Sequence, residues 1–162
     1  MNNKVVLAFS GGLDTSFCVP YLKEKGYEVH TVMVNTGGFS AEEEKAIEER
    51  ALALGATSHK NVNAVETYYT KGIKYLIYGN ILKNATYPLS VSSERVFQAL
   101  EVLNHVKELG AGAVAHGSTG AGNDQVRFDI VFEILAPEVK IIAPVRDEGF
   151  TRQFEIDFLQ KH

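Results

Sequence analysis

The residue types near the N-terminus are those of an anion-binding site. Residues 8–16 read Ala-Phe-Ser-Gly-Gly-Leu-Asp-Thr-Ser, between an apolar run over 4–9 and a segment with helical spacing. A strand, a Ser-Gly-Gly turn and a helix start bring backbone N–H groups, hydroxyl groups and the positive end of a helix dipole to one point. Gly11 and Gly12 let the backbone approach a ligand where a Cβ atom would collide. The pattern predicts a phosphate site; a tight turn with Asp14 as N-cap is the structural alternative.

A second segment has the same organisation. Residues 115–128 read Ala-His-Gly-Ser-Thr-Gly-Ala-Gly-Asn-Asp-Gln-Val-Arg-Phe, an apolar strand followed by a glycine-rich loop and a helix start. Thr119 and Asn123 are short polar side chains able to hold a carboxylate, and Asp124 can accept from an amine. Arg127 can hold a second carboxylate in a bidentate fork. Asp124 and Arg127 are three residues apart and therefore share one helix face.

The rest of the chain supplies the elements that must position these two segments. Apolar runs alternate with helical patterns, which is typical of a parallel sheet with helices on both faces. The predicted strands cover residues 4–9, 28–34, 57–62, 112–117 and 139–143. The predicted helices cover residues 15–25, 41–54, 64–78, 93–109 and 124–135. Between Gly79 and Ser92 the chain has a loop long enough to suggest a functional role.

We therefore expect a doubly wound α/β fold with a five-stranded sheet in the order 3-2-1-4-5. Open parallel sheets bind ligands beyond the carboxyl ends of the strands, where the strand order reverses. In this order the first and fourth strands are neighbours at that point. The two glycine-rich loops that follow them are thus expected to face one crevice.

Composition limits the functions that the chain can have. It has 162 residues, 45% of them hydrophobic, and a net charge of -4, which argues against a nucleic-acid partner. The single cysteine, Cys18, excludes an internal disulfide and a Cys-x-x-Cys pair, and it suggests a small core residue. No apolar run approaches the length of a membrane span, and no signal peptide is visible. These features predict one cytoplasmic domain without a membrane partner.

The C-terminal residues carry an aromatic stripe. Phe150, Phe154 and Phe158 recur every four residues, as on one face of a helix, and the chain ends shortly afterwards without a cap. Two interpretations are equally open. The stripe meets a further part of a longer polypeptide, or the helix packs on its own domain.

Three motifs together resemble a known family. The order Ser-Gly-Gly-x-Asp-Thr/Ser lacks the Gly-Lys-Ser/Thr ending of a Walker loop and resembles the PP-loop of ATP pyrophosphatases. With the stretch Tyr-Pro-Leu-Ser-Val-Ser at 87–92 and His-Gly-x-Thr-Gly-x-Gly-Asn-Asp-Gln-Val-Arg-Phe at 116–128, it resembles argininosuccinate synthase. The likeness covers essentially the whole chain and only the nucleotide-binding N-terminal domain of that family. It implies a PP-loop, adenine nucleotide alpha hydrolase-like fold for residues 1–162, with the C-terminal synthetase and oligomerisation domain absent from this chain.

The resemblance also implies an activity. Members of the family are ligases of arginine biosynthesis that use ATP with Mg²⁺ to adenylate citrulline, releasing pyrophosphate, and then condense it with aspartate to give argininosuccinate and AMP. It implies citrulline and aspartate as substrates and a homotetramer for the full-length protein. No metal site formed by protein alone is implied. The isolated N-terminal part is expected to be inactive in the full reaction.

The family's site residues map onto this sequence as follows, with none assigned as catalytic. The expected ATP contacts are Ala8, Phe9, Ser10, Gly11, Gly12, Leu13, Asp14, Thr15, Ser16, Val34 and Gly117. The expected citrulline contacts are Tyr87, Ser92, Asn123 and Arg127, and the expected aspartate contacts are Thr119, Asn123 and Asp124. The second loop departs from the family at Ala121, where a lysine is usual, so a cation near the phosphates is missing.

Two other functions compete with this one. A tRNA-thiolating PP-loop protein would need reactive cysteines and a basic surface, which this composition does not offer. A non-catalytic nucleotide sensor would explain the first loop but would leave the polar cluster from Thr119 to Arg127 without a role. His116, at a strand end, is expected to be structural rather than a general base.

Overall fold

The fold is built around one parallel sheet. The computed structural model describes residues 2–80, 82–83 and 87–162, and for Lys83, Tyr87 and Pro88 it describes the backbone. The strands are β1 (Lys4–Ala8), β2 (Glu28–Asn35), β3 (Ser58–Asn63), β4 (Leu82–Lys83), β5 (Tyr87–Pro88), β6 (Ala113–His116) and β7 (Lys140–Ile142). Five of them form a parallel sheet in the order β3-β2-β1-β6-β7, while β4 and β5 pair as a separate antiparallel ribbon. The predicted order 3-2-1-4-5 is confirmed.

Helices follow most of the strands. They are α1 (Leu13–Glu24), α2 (Ala41–Ala53), α3 (Val65–Tyr68), α4 (Lys74–Tyr78), α5 (Ser90–Leu109), α6 (Asp124–Leu135), α7 (Pro144–Glu148) and α8 (Arg152–Leu159). A π-helical turn over Tyr69–Ile73 joins α3 to α4, so the helix predicted over 64–78 is continuous but irregular. The short helix α7 was not predicted.

Alternation along the central strand divides the core into two layers. Val5 and Leu7 pack in the cluster that contains Phe17 of α1, whereas Val6 packs in the cluster that contains Val102 of α5. Successive side chains of a strand point to opposite faces, so β1 needs apolar residues at every position. Its residues Val5, Val6 and Leu7 are accordingly 0% exposed. The predicted helices on both faces of the sheet are confirmed.

Two helix starts differ from the prediction. Helix α1 begins at Leu13 with Gly12 at the N-cap position, so Asp14 lies in the first turn and does not cap the helix. A glycine N-cap leaves the first-turn N–H groups without a side-chain acceptor. The helix is less stabilised by this arrangement, but the N–H groups stay available to an anionic ligand. Helix α5 begins at Ser90 rather than near residue 93, so the end of the predicted loop over 79–92 is its first turn.

The aromatic stripe packs on its own domain. The ring of Phe17 in α1 lies 5.2 Å from that of Phe150 and 5.1 Å from that of Phe158, both at steep interplanar angles. Phe150 precedes α8, whose N-cap is Thr151, and stacks on Phe154 at 4.6 Å. The packing that the second interpretation expects is therefore present, whereas contact of the stripe with a further part of a longer polypeptide stays a prediction.

Candidate active site

The PP-loop, residues 8–16, joins β1 to α1 at the carboxyl edge of the sheet. Gly11 has a φ of +74°, in the left-handed region that favours glycine, whereas Gly12 has the extended values −73° and 173°. The hydroxyl groups of Ser10 and Thr15 lie 3.3 Å apart, and that of Thr15 donates to the carbonyl of Gly12. The loop thus presents hydroxyl groups and the start of a twelve-residue helix at one point.

Helix α2 supports the PP-loop from the other side. Arg50 donates from Nη1 to the carbonyl oxygen of Gly11 at 2.7 Å. A Cβ atom on Gly11 would lie 3.1 Å from Cγ1 of Ile47, so both the backbone angle and the space demand glycine. Sequence reasoning missed Arg50, because its position in α2 is indistinguishable from that of a solvated arginine.

The second glycine-rich loop, residues 117–123, meets the PP-loop. Strands β1 and β6 are adjacent, with Ala8 opposite His116, so both loops leave the sheet side by side. A Cβ atom on Gly117 would lie 3.1 Å from the backbone nitrogen of Thr15 and 3.1 Å from the carbonyl carbon of Asp14. The expectation that the two loops face one crevice is confirmed.

That crevice is a cavity of about 760 Å³ lined by both loops, by β2 and by α5. Eleven of the expected site residues line it: Ala8, Phe9, Ser10, Gly12, Leu13, Asp14, Thr15, Val34, Gly117, Thr119 and Asp124. Gly11, Ser16, Ser92, Asn123 and Arg127 stand outside this lining set. The backbone of Tyr87 lies in β5, and its side chain is outside the described part of the chain.

Charged side chains meet on the α5–α6 side of the cavity. Asp124 accepts from Nη1 of Arg127 at 2.5 Å and from Nε of Arg95 at 3.1 Å. Arg127 also donates from Nη2 to the hydroxyl of Ser92 at 3.0 Å, which connects two of the expected citrulline residues. Partial burial raises the pKa of Asp124, but the hydrogen bonds and charges of the two arginines outweigh it and hold that pKa below its usual value.

Arg95 of α5 is not among the contacts expected from the sequence, because an arginine on a helix surface is usually only solvated. It lines the cavity together with Glu94 and Gln98 of the same helix. Gln98 accepts from Arg95 at 2.9 Å, and Glu94 accepts from the hydroxyl of Thr36 at 2.6 Å. The polar wall therefore extends from α6 across α5 to the end of β2. No spacing in the sequence indicates this cluster, because it depends on the crossing of two helices.

His116 has a structural environment. It is 1% exposed, its Nδ1 accepts from the backbone N–H of Ser118, and its Nε2 lies 2.9 Å from Oδ1 of Asp129. Burial lowers its pKa, against the opposing effect of Asp129. With Nδ1 accepting, the neutral ring carries its proton on Nε2 and donates to Asp129. Asp129 in turn pairs with Arg146 of α7, which anchors the β6 end to two helices.

Comparison with known proteins agrees with this geometry. A sequence model described as the arginosuccinate synthase N-terminal HUP domain matches residues 4–162. The chain belongs to the argininosuccinate synthase family. The argininosuccinate synthase of Xanthomonas axonopodis pv. citri is 45% identical over 160 residues, which are 96% of this chain and 38% of that protein. That of Pyrobaculum aerophilum is 45% identical over 161 residues, which are 99% of this chain and 40% of that protein. The chain thus spans well under half the length of these relatives.

A solved structure shows the same fold at lower similarity. It is described as a predicted subunit of tRNA methyltransferase from Methanocaldococcus jannaschii, with a TM-score of 0.62 and 20% identity. The match covers 97% of this chain and 74% of that one. In the described residues, no helix is both long and apolar enough to cross a membrane.

Proposed function

We propose that this chain is the ATP-binding domain of a ligase that adenylates citrulline and joins it to aspartate, forming argininosuccinate, AMP and pyrophosphate. One observation carries the proposal. The contact of Gly117 with the first turn of α1 makes the two glycine-rich loops walls of a single cavity. Residues expected to contact ATP and aspartate line that cavity together, and the expected citrulline residues Ser92 and Arg127 adjoin it through Asp124.

The PP-loop is the proposed phosphate site. Because no side chain among the described residues caps α1, the N–H groups of its first turn are available to phosphate oxygens. Hydroxyl groups of Ser10 and Thr15 add further donors. The apolar wall formed by Phe9, Val34 and Val102 suits the adenine ring.

Mg²⁺ is proposed to arrive on the phosphates of ATP. Within residues 2–80, 82–83 and 87–162, no group of three His, Cys, Asp or Glu side chains could hold a metal ion. Magnesium commonly keeps several waters and binds through substrate phosphates rather than in an all-protein cage. When bound, it would neutralise charge on the departing pyrophosphate.

The two amino-acid substrates are proposed to bind along the polar wall. Arg127 and Ser92, joined by a hydrogen bond, suit the carboxylate of citrulline. Thr119 and Asn123 suit a carboxylate of aspartate, and Asp124 suits its ammonium group. Because Asp124 and Arg127 also pair with each other, the two substrates share one electrostatic network. The binding of one is thus expected to affect the other.

The proposed chemistry needs positioning more than a side-chain base. The ureido oxygen attacks the α-phosphorus, and the bond to the β-phosphate oxygen breaks to release pyrophosphate. The amine of aspartate, having lost a proton to solvent, then attacks the ureido carbon, and AMP leaves with the electrons of the C–O bond. His116 has both ring nitrogens engaged and is buried, so we assign it no proton transfer. Alignment and charge stabilisation supply the rate.

We infer that residues 1–162 form one domain of a larger enzyme. The remaining length of the relatives would complete the citrulline site, close the cavity to water and carry the contacts of a homotetramer. An adenylated intermediate must be protected from hydrolysis while it awaits the amine. Separated from that part, the chain is expected to bind ATP and to form argininosuccinate at a negligible rate. Its proposed compartment is the cytoplasm.

The test compares this chain with the full-length Xanthomonas relative. ATP affinity is measured by calorimetry, and pyrophosphate release is measured with and without citrulline. We expect ATP binding by both proteins and citrulline-dependent pyrophosphate release by the relative alone. Failure of the chain to bind ATP would contradict the nucleotide site. Argininosuccinate synthesis by the chain at a rate near that of the relative would contradict the division of labour.

A further inference from the structure

A buried carboxyl lies next to the candidate site without being part of the cavity wall. Glu155 of α8 is 2% exposed, although it belongs to a helix whose other acidic residue, Asp157, faces solvent. Among the described residues, no donor reaches its Oε2 atom, which is itself buried. An ionised carboxylate in such a position would be strongly destabilising. The buried carboxyl of Glu155 is therefore stable only if it is protonated or interacts with a further group.

The groups that face Glu155 come from two helices. Helix α1 contributes Asp14 and Cys18, and its own helix contributes Arg152. Two neighbouring carboxyl groups attract each other only when one of them carries a proton. Burial, then the hydrogen bond with Asp14 and its charge, raise the pKa of Glu155 to about 7, against the lowering effect of Arg152. Burial first, and then these two carboxyls, raise the pKa of the Cys18 thiol, so it stays protonated.

The packing of α8 on α1 keeps Glu155 in place. Phe17 contacts Phe158 with a ring separation of 5.1 Å and Phe154 with one of 6.0 Å, on either side of Glu155 along α8. Rotation of helix α8 on α1 would require these rings to separate. The position of the Glu155 backbone beside α1 is consequently set by the packing of these aromatic rings.

We propose that Glu155 is a positioning residue for the nucleotide: its protonated carboxyl donates to Asp14 and fixes the first turn of α1, which forms the phosphate end of the PP-loop. This role rests on the proposed function, in which that loop binds ATP. Loss of the proton converts the hydrogen bond into repulsion between two carboxylates. It also places a second negative charge beside the phosphate site, so ATP binds less tightly to the deprotonated form.

Proton binding at Glu155 and ATP binding are thermodynamically linked in this proposal. If the protonated form of Glu155 binds ATP more tightly, then ATP binding must raise its affinity for a proton. ATP binding near neutral pH should thus be accompanied by proton uptake at Glu155. Since ATP has its own titrating phosphate, only the difference between the wild-type chain and a variant that cannot titrate isolates this proton.

The experiment measures ATP affinity of the 162-residue chain by calorimetry at about pH 6 and about pH 8.5, with Mg²⁺ present, in buffers of different ionisation enthalpy. The variants are Glu155→Gln, which keeps a donor and the side-chain shape, and Asp157→Asn, which removes an exposed carboxylate from the same helix. We expect wild type and Asp157→Asn to lose about tenfold more affinity over this pH range than Glu155→Gln, and to take up a proton that Glu155→Gln does not.

The outcomes separate this inference from the proposed function. If the wild-type chain fails to bind ATP at the lower pH, the proposed function is wrong. If it binds ATP and all three proteins share one pH dependence, the positioning role is overturned. A carbon-13 titration of the Glu155 carboxyl in the wild-type chain needs no variant. A midpoint near that of an exposed glutamate would also overturn the inference.

Discussion

Gly117 lies so close to Thr15 that a Cβ atom on the glycine would be 3.1 Å from the threonine backbone nitrogen. Residues from two distant parts of the sequence are thereby held together at the point where the proposed phosphates bind. We expect Gly117→Ala to separate the loops and weaken ATP binding roughly tenfold, since overpacking costs about 1–3 kcal/mol. Calorimetry on Gly117→Ala and Gly120→Ala provides the comparison. A Cβ on Gly120 would meet only Arg146, at 3.8 Å, so this control should bind as the wild type does.

The backbone of Gly12 permits a side chain. A substitution there is therefore expected to affect ligand binding more than folding. Its angles are extended, and a Cβ atom there would meet only Oγ of Ser10, at 3.5 Å. Gly12→Val should therefore fold and lose ATP binding, because the isopropyl group fills the space for the phosphates. Ala53→Val, at an exposed position of α2, adds the same bulk elsewhere. Unchanged ATP affinity in a folded Gly12→Val chain would refute the phosphate site.

Asp124 offers a test of how the two proposed amino-acid substrates are distinguished. Asp124→Asn should raise the apparent KM for aspartate in the complete enzyme, because it weakens a charge-assisted contact worth about 1.5–3 kcal/mol. Citrulline-dependent adenylation should suffer much less. The structure adds a competing possibility, because the same carboxylate also holds Arg95 and Arg127. Equal loss in both half-reactions would mean that Asp124 organises the arginines rather than reading aspartate.

Stability should depend on pH through Glu155. Its pKa of about 7 in the fold exceeds that of an exposed glutamate, so the folded chain binds more protons between the two values. The free energy of unfolding contributed by this group is therefore fully present at low pH and falls as pH rises through about 7, by up to about 3 kcal/mol.

Buried histidines oppose this trend over part of the same range. Burial lowers the pKa of His116 and of His30, so their contributions are present at higher pH and are lost as pH falls. The wild-type curve alone is thus not diagnostic. Urea unfolding of wild type and Glu155→Gln across this range should show a difference that grows with pH. If the difference in the free energy of unfolding stayed constant with pH, Glu155 would not be the group that titrates.

The sequence predicts the sheet and the two loops because those features are local. An apolar run such as 4–9 followed by glycines can be recognised from neighbouring residues alone. The expected strand order then predicts that β1 and β6 are adjacent, as they are in the structure. Arg95 and Glu155 carry no such signal. Their roles depend on where one helix crosses another, which the periodicity of either helix alone does not determine. The alternative in which Asp14 caps α1 is wrong, because the helix begins one residue before it, at Leu13.

The pairing of β1 with β6 has a consequence for folding. Val5 pairs with Ala113, and most of the chain lies between these two residues in the sequence. The sheet is therefore complete only after this long-range pairing has formed. Such long-range pairing forms slowly, because the entropy of closing a long loop is lost before the contacts that compensate for it are made. The cavity between the two loops consequently exists only in molecules that have finished folding. A nucleotide bound there would select those molecules and shift the equilibrium toward them. ATP would then be a folding ligand as well as a substrate, and its supply during synthesis would influence the yield of native protein.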